Sequence, residues 1–203
     1  CIRDRRSPHA HASIKSIDGS AAMAAPGVLV VLTGSDYRAE NLGELPLVVP
    51  PIPIPNFDVE KVYRPSRFTL ACDEVNFVGE EVAFIVAETL DQAKDAAELI
   101  NVVYETLPTV VDAEKALKDG APLVWSDCPG NLSFTEEMGD KKTTDAAFAS
   151  AKHIVKLRSV VNRASANTIE ARGTNADYNP STGHCTVYVG AVSYTHLRAH
   201  ETS

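Results

Sequence analysis

Residues 74–105, EVNFVGEEVAFIVAETLDQAKDAAELINVVYE, give the strongest indication of secondary structure in the sequence. Residues 82–87 form a continuous apolar run of strand length. Thr89 and Gln92 fit a capping box, which predicts a helix that begins at this point. Alanines and Ile100 continue the pattern at helical spacing, and a second strand follows. A strand, a capped helix and a strand together predict a βαβ unit with parallel strands and a right-handed crossover.

Composition limits the possible classes of function. The chain has 203 residues, of which 44% are hydrophobic and 23% charged, and its net charge is −8. These values are typical of a soluble globular chain with one large domain or two small ones. An acidic chain without a basic run is a poor partner for nucleic acid. No apolar run approaches the ~20 residues of a membrane helix, so we expect no membrane span.

The cysteine pattern indicates a reducing compartment. Cys1, Cys72, Cys128 and Cys185 are far apart, and no C-x-x-C pair occurs. This spacing excludes the common zinc-ribbon and thioredoxin patterns. Since no signal peptide opens the sequence, we expect reduced thiols and a cytoplasmic protein. Pairing of the four cysteines in an oxidising compartment is the alternative.

Outside residues 74–105, the sequence predicts further strands and helices of an α+β protein. Strands are expected at residues 12–18 and 28–32, and a hairpin at 176–189. Thr144 is expected to cap a helix that runs through Ala151. Residues 152–161 alternate between apolar and polar, which predicts a strand with one solvated face. The composition changes near residues 139–143, the best candidate for a domain boundary.

Both ends of the sequence resemble translated sequencing adapter. The opening CIRDR, residues 1–5, and the tail AVSYTHLRAHETS, residues 191–203, are therefore expected to be non-native and are excluded from fold reasoning. His196 and His200, a His-x-x-x-His pair, lie in this tail and are therefore not considered as metal ligands. A genuine polar tail is the alternative interpretation.

Two short motifs carry residue types that are common in active sites. His9 and His11 would face the same way on a strand and could reach one metal ion. Glu80 and Glu81 follow a predicted strand, but adjacent residues of an extended chain point apart and would not form an acid–base pair. In both cases we expect the structural role, a polar strand entry and a solvated turn.

The sequence NTIEARG, residues 167–173, is the strongest candidate for ligand binding. Arg172 could bind an anionic ligand, and Glu170 lies two positions before it in the sequence. Glu170 could equally hold Arg172 in a structural ion pair. These two residues are weak candidates for cofactor binding, and the sequence indicates no catalytic residue and no metal ligand.

Several motifs resemble, in order and spacing, one enzyme family. The motifs are SPHAHASI (7–14), APGV (25–28), VLTG (31–34), FVGEEVA (77–83), VAET (86–89), VYETLP (103–108), Asn131, Gly139-Asp140 and NTIEARG (167–173). Together they resemble the molybdenum-binding large subunit of the xanthine dehydrogenase, aldehyde oxidase and aerobic carbon monoxide dehydrogenase group. Glu81 and Ala171 stand where the family's motifs usually have proline.

The resemblance implies an α/β hammerhead domain at 6–140 and the truncated start of a molybdopterin-binding domain at 141–190. It implies that the chain is an inactive, structural fragment of an oxidoreductase, since the catalytic residues follow later in the family. The complete enzyme would hydroxylate an aldehyde, a purine or another N-heterocycle, or oxidise carbon monoxide, with water as the oxygen source.

The resemblance also implies cofactors and partners. A molybdenum-pterin cofactor, expected in its cytosine dinucleotide form, would bind outside this fragment. FAD and iron–sulfur (2Fe–2S) clusters would be held by partner subunits or domains. The fragment would pack on downstream molybdopterin-binding domains of the same chain, and the whole enzyme would bind a small-molecule substrate. The alternative is a stand-alone, non-catalytic interaction module with a hammerhead-like fold.

Overall fold

The computed structural model describes residues 1–45, 61–161, 169 and 173–189, and the backbone of 196–198. The chain divides into two compact units, Cys1–Gly139 and Asp140–Ser203, called unit 1 and unit 2 below. Each unit combines small sheets with short helices, and the predicted α+β class is confirmed.

Unit 1 contains two sheets of three strands each, and every strand pair in the described residues is antiparallel. The strands in spatial order are β1 (Ile2–Arg6), β5 (Glu81–Ala87) and β3 (Val28–Thr33) in the first sheet, and β4 (Glu74–Val75), β2 (Ala12–Asp18) and β6 (Asn101–Thr106) in the second. The residues at 1–5, which the sequence analysis set aside, thus lie largely within an edge strand of the first sheet.

Helices connect these strands, and one further helix follows them in unit 2. The helices are α1 (Ser20–Met23), α2 (Gly34–Ala39), α3 (Leu90–Leu99) and α4 (Ala113–Ala116) in unit 1, and α5 (Lys141–Ser150) in unit 2. A 3₁₀ turn lies at Pro129–Asn131. Unit 2 also contains a sheet with the order β7 (Thr174–Asn179), β8 (His184–Val189) and β9 (His196–Arg198).

The capping box predicted for α3 is confirmed. The backbone N–H of Gln92 donates to the Thr89 hydroxyl oxygen at 3.3 Å, and the Thr89 N–H donates to Gln92 Oε1 at 3.0 Å. The helix buries three alanines on one face and leaves its charged residues exposed. Ile100, which ends the helix, is only 1% exposed. Local hydrogen bonding and one apolar face are therefore enough to define α3.

The prediction of a parallel βαβ unit is wrong. Strand, helix and strand follow in the expected order, but β5 and β6 belong to different sheets. Both edges of β5 are already occupied, since Ile85 pairs with Arg3 on one side and with Val31 on the other. Strand β6 pairs with β2 instead, as in the pair Val102–Ile17. The helix therefore bridges two sheets rather than crossing over within a mixed one.

Two expectations for unit 2 are also wrong. The helix α5 begins at Lys141, and its cap is Asp140, whose carboxylate accepts the N–H of Thr143 at 3.0 Å; Thr144 lies within the helix. Residues 152–161 form no strand. A strand needs a hydrogen-bonded neighbour, and the described chain supplies none to this segment. The predicted hairpin is confirmed as β7 and β8.

The core of unit 1 consists of two adjoining clusters of small and branched apolar side chains. One lies between α3 and the first sheet and includes Ile85 and Ile100. The other includes Val75 and Val82, which are fully buried. The apolar run at 28–32 predicted a buried strand, but the observed strand β3 lies at the edge of its sheet, and its residues are half-buried or exposed.

A close backbone approach explains the glycine in the VLTG motif. A Cβ atom placed on Gly34 would lie 2.3 Å from the carbonyl oxygen of Ala71, much closer than real Cβ contacts. The Cys72 thiol donates to the Gly34 carbonyl oxygen at 3.3 Å, which holds the two segments together. Only a residue without a side chain allows this crossing at the start of α2.

In the portion of the chain that the structure describes, no helix has the length and apolar character needed to cross a membrane.

Candidate functional site

The two residues that the sequence analysis favoured for ligand binding cannot be placed. Glu170 and Arg172 lie outside the described residues, as does Asn167. Their neighbour Ile169 is fully exposed. The assignment of Glu170 and Arg172 as weak cofactor-binding candidates therefore stays a prediction.

The structure places His9 and His11 in different surroundings. The His9 ring packs edge-on against the ring of Tyr104, with centroids 4.8 Å apart. His11 Nδ1 lies 2.9 Å from the carbonyl oxygen of Pro108, and its Nε2 lies 3.8 Å from a carboxylate oxygen of Glu74. Both rings thus have structural contacts, as the sequence analysis expected of them.

Glu80 and Glu81 have different partners, and both are half-buried, so the prediction of a solvated turn is wrong. The Glu80 carboxylate accepts the backbone N–H of Asn76 at 2.6 Å, and burial raises its pKa above the ordinary value. The Glu81 carboxylate pairs with the Arg6 guanidinium at 3.0 Å. One carboxylate closes a turn and the other joins two strands, so the pair does not form an acid–base site.

All four cysteines are free thiols. Burial raises the pKa of Cys72, and burial followed by the nearby Asp127 charge raises that of Cys128. A raised pKa disfavours the thiolate, which is the nucleophilic form. Cys72 and Cys128 are therefore poor nucleophiles.

Asn131 organises the long loop that follows α4, a role that its sequence position alone did not indicate. Its side-chain amide donates to the carbonyl oxygens of Ala116 and Pro122, both at 3.0 Å, and accepts the N–H of Val124 at 2.8 Å. Its φ of 54° lies in the left-handed region, which asparagine tolerates better than most residues. The Pro-Gly-Asn sequence at 129–131 was the available signal for a turn.

Tyr63 ties the same loop to the segment before β4. Its hydroxyl donates to Asp127 at 2.6 Å, and its backbone N–H donates to the Ser133 carbonyl oxygen at 2.9 Å. Burial, followed by the hydrogen bond to Asp127, raises the pKa of the Tyr63 phenol well above its usual range. The phenol is thus held neutral as a hydrogen-bond donor.

The described residues do not form a metal centre. No three of their His, Cys, Asp or Glu side chains come together in a way that could hold a metal ion. The described residues of unit 1 build a packed scaffold in which Asn131 and Tyr63 hold one long loop in place.

Comparison with known proteins places this scaffold in a family. Residues 4–108 match the family described as "Aldehyde oxidase and xanthine dehydrogenase, a/b hammerhead domain". The chain is 37% identical over 195 residues to the carbon monoxide dehydrogenase large chain of Afipia carboxidovorans, an alignment that covers 90% of this chain and 22% of that protein. It is 34% identical to the nicotine 6-hydroxylase large subunit of Paenarthrobacter nicotinovorans, covering 85% of this chain and 20% of that protein.

The fold agrees with these sequence matches. The crystal structure of quinoline 2-oxidoreductase from Pseudomonas putida 86 superposes with a TM-score of 0.79 and 34% identity, covering 94% of this chain and 23% of that one. This chain thus spans about a quarter or less of the length of these relatives. The hammerhead expectation is confirmed by both kinds of comparison. The chain belongs to the aldehyde oxidase and xanthine dehydrogenase family of molybdenum hydroxylases and contains its a/b hammerhead domain.

Proposed function

We propose that this chain is a structural piece of a molybdenum hydroxylase large subunit and that it is inactive alone. The complete enzyme would hydroxylate an aldehyde, a purine or another N-heterocycle, or oxidise carbon monoxide, and would take its oxygen from water. This proposal rests on family membership together with one structural observation, the lack of buried residues in the described part of unit 2.

Unit 2 buries none of its described residues. The helix α5 has no buried residue, and Phe148 is 56% exposed. In the segment that follows α5, Val155, Leu157 and Val161 are each about nine-tenths exposed. Monomeric proteins rarely expose apolar residues in such a row, and larger patches mark a surface that another element covers. We infer that a further part of the same protein covers it.

The division at the end of unit 1 supports the proposed domains. We propose a hammerhead domain at 6–140 and the start of a molybdopterin-binding domain at 141–190. Residues 1–5 and 191–203 are proposed to be non-native, although β1 includes most of the first segment. The pairing of Ile2 with Val86 shows that the segment is compatible with the sheet.

The cofactors and partners are part of the same proposal. A molybdenum-pterin group, in its cytosine dinucleotide form, would bind to downstream domains of the same chain. FAD and iron–sulfur clusters would reside in partner subunits or domains, and the enzyme would be cytoplasmic. Glu170 and Arg172 remain the candidates for contact with the cofactor from within this chain.

Sequencing the source DNA beyond both ends tests the proposal. We expect an open frame of several hundred further codons downstream of residue 190, different from the tail at 191–203. A stop codon directly after Ser203 in the source DNA would refute the enzyme proposal and favour the stand-alone interaction module.

A second test uses the protein itself. Hydrogen exchange of the 203-residue chain should show slow amides in α3 and β5 and fast amides throughout residues 141–161. Binding of a dye for exposed apolar surface should map to unit 2. Slow exchange across residues 141–161 would show that unit 2 is complete without further chain.

A further inference from the structure

Unit 1 contains a small pocket that none of the roles above uses. Its volume is ≈ 280 Å³, and its apolar walls come from Leu107, Pro108, Pro122 and Leu123. The first two follow β6, and the other two belong to the loop that Asn131 holds. Small-molecule sites are usually about 300–1,000 Å³, so this pocket fits a small ligand or one side chain.

The polar groups of this pocket favour a ligand that donates hydrogen bonds. His11 Nδ1 lies against the Pro108 carbonyl oxygen, which can only accept, so the ring proton resides on Nδ1. When the ring is neutral, Nε2 is an acceptor, and it has no hydrogen-bond partner in the structure. The Glu74 carboxylate, also an acceptor, lies 3.8 Å away. Ser126, the remaining polar residue, can donate or accept.

The charge of the pocket favours a cation. The Glu74 side chain is 48% exposed, and the residues that line the pocket include this carboxylate but no Lys or Arg. Nε2 of His11 is itself buried, so the Glu74 carboxylate is the group that an entering ligand meets first. The net charge of −8 adds to the attraction for cations at low salt.

We propose that this pocket binds an amidinium, guanidinium or primary ammonium group attached to a short apolar body. The charged head donates to Glu74, a charge-assisted hydrogen bond that is stronger than a neutral one. The apolar body packs between the proline and leucine walls. The ligand is either a free small cation or the arginine side chain of a protein segment, which share this chemistry.

Benzamidinium and its neutral isostere benzamide test the ligand class on the 203-residue chain. In a titration followed by amide chemical shifts, benzamidinium should move the signals of Leu107, Leu123 and Ser126, and benzamide should not. Equal shifts with benzamide, or shifts confined to other parts of the chain, would overturn the proposal.

Two matched variants test the anchor. Glu74→Gln should weaken benzamidinium binding at least about tenfold, since it removes a charge-assisted hydrogen bond. Glu98→Gln removes an exposed carboxylate of α3 and should leave binding unchanged. In both variants the amide signals of the core should be unchanged, which would show that each variant is folded. An unchanged affinity in Glu74→Gln would refute the assignment of Glu74.

Agmatine and N-acetylarginine amide then distinguish the two sources, because they carry the same guanidinium on different bodies. Tighter binding of agmatine supports a free small cation, and tighter binding of the arginine amide supports a protein side chain. Failure of both guanidinium probes and of benzamidinium would overturn the proposal.

Discussion

Nδ1 of His11 lies 2.9 Å from the carbonyl oxygen of Pro108, a residue 97 positions later in the chain. The neighbouring backbone N–H of Leu107 donates to the His11 carbonyl oxygen at 3.0 Å. Together these bonds join the residue before β2 to the residues after β6. They extend the β2–β6 pairing beyond the ends of both strands, and they fix one wall of the pocket.

The hydrogen bond from His11 predicts a difference between two substitutions. His11→Leu removes the donor and should lower the free energy of unfolding by about 1 kcal/mol. His11→Asn should lose less, because its side-chain N–H can occupy the place of Nδ1–H. Urea denaturation measures both, with the exposed His153→Asn as a control. Equal loss in the two His11 variants would show that ring packing, rather than the hydrogen bond, matters.

Gly34 predicts a steric effect without backbone strain. Gly34→Ala would place a Cβ 2.3 Å from the Ala71 carbonyl oxygen, so the crossing segment must shift. We expect a loss of about 2 kcal/mol or more, in the range of overpacking substitutions. Gly173→Ala is the matched control, since nothing lies within 4 Å of its Cβ position. Thermal denaturation that gives equal midpoints for the two variants would contradict the close approach.

Asn131 predicts two separable contributions to stability. Asn131→Gly removes the three side-chain hydrogen bonds but allows the positive φ, and should cost about 2–3 kcal/mol. Asn131→Ala adds the steric cost of a left-handed conformation, about 1 kcal/mol more. Asn41 also has a positive φ, 53°, and its side chain is exposed, so Asn41→Gly should be near neutral. If urea denaturation gives Asn131→Ala a higher free energy of unfolding than Asn131→Gly, the predicted cost of a left-handed alanine is refuted.

Glu80 predicts a pH dependence of stability with a defined sign. Burial raises its pKa above the ordinary value of 4.5, and the hydrogen bonds from the N–H groups of Asn76 and Phe77 oppose this only in part. The folded protein therefore holds this proton more tightly than the unfolded chain. The resulting stability is fully present below pH 4.5 and is lost as the pH rises through the folded-state pKa.

Glu80→Gln should remove this contribution while keeping an acceptor for the Asn76 N–H. Relative to the variant, the natural protein should lose stability as the pH rises above about 4.5. Urea midpoints across this range measure the difference, and the exposed Glu88→Gln serves as a control. Parallel curves for the natural protein and Glu80→Gln would show that Glu80 has the same pKa folded and unfolded.

Features decided by neighbouring residues could be predicted from the sequence. The Thr89–Gln92 capping box and the β7–β8 hairpin depend on contacts within a few residues, and both are present. Strand partners could not be predicted in the same way. The central strand β5 is flanked by residues 2–6 and 28–33, and no local pattern connects such distant segments.

Side-chain hydrogen bonds also differ in how far apart in the sequence their partners lie. Asp112 and Asp140 cap helices through bonds to residues three positions away, whereas Asn131 reaches back to Ala116 and Pro122. A clamp of this kind has no fixed spacing, so only the folded loop reveals it. The alternation of residues 152–161 is a real strand pattern, but alternation does not supply the neighbouring strand that such a segment needs.

Ile17 and Val102 face each other across β2 and β6, and both pack against the two apolar clusters of unit 1. This shared pair makes the two sheets energetically dependent on each other. A cavity opened in either cluster weakens the contacts of the same two side chains, so damage in one sheet is transmitted to the other. Heating should therefore melt both sheets in one cooperative transition, and neither sheet has an independent melting temperature.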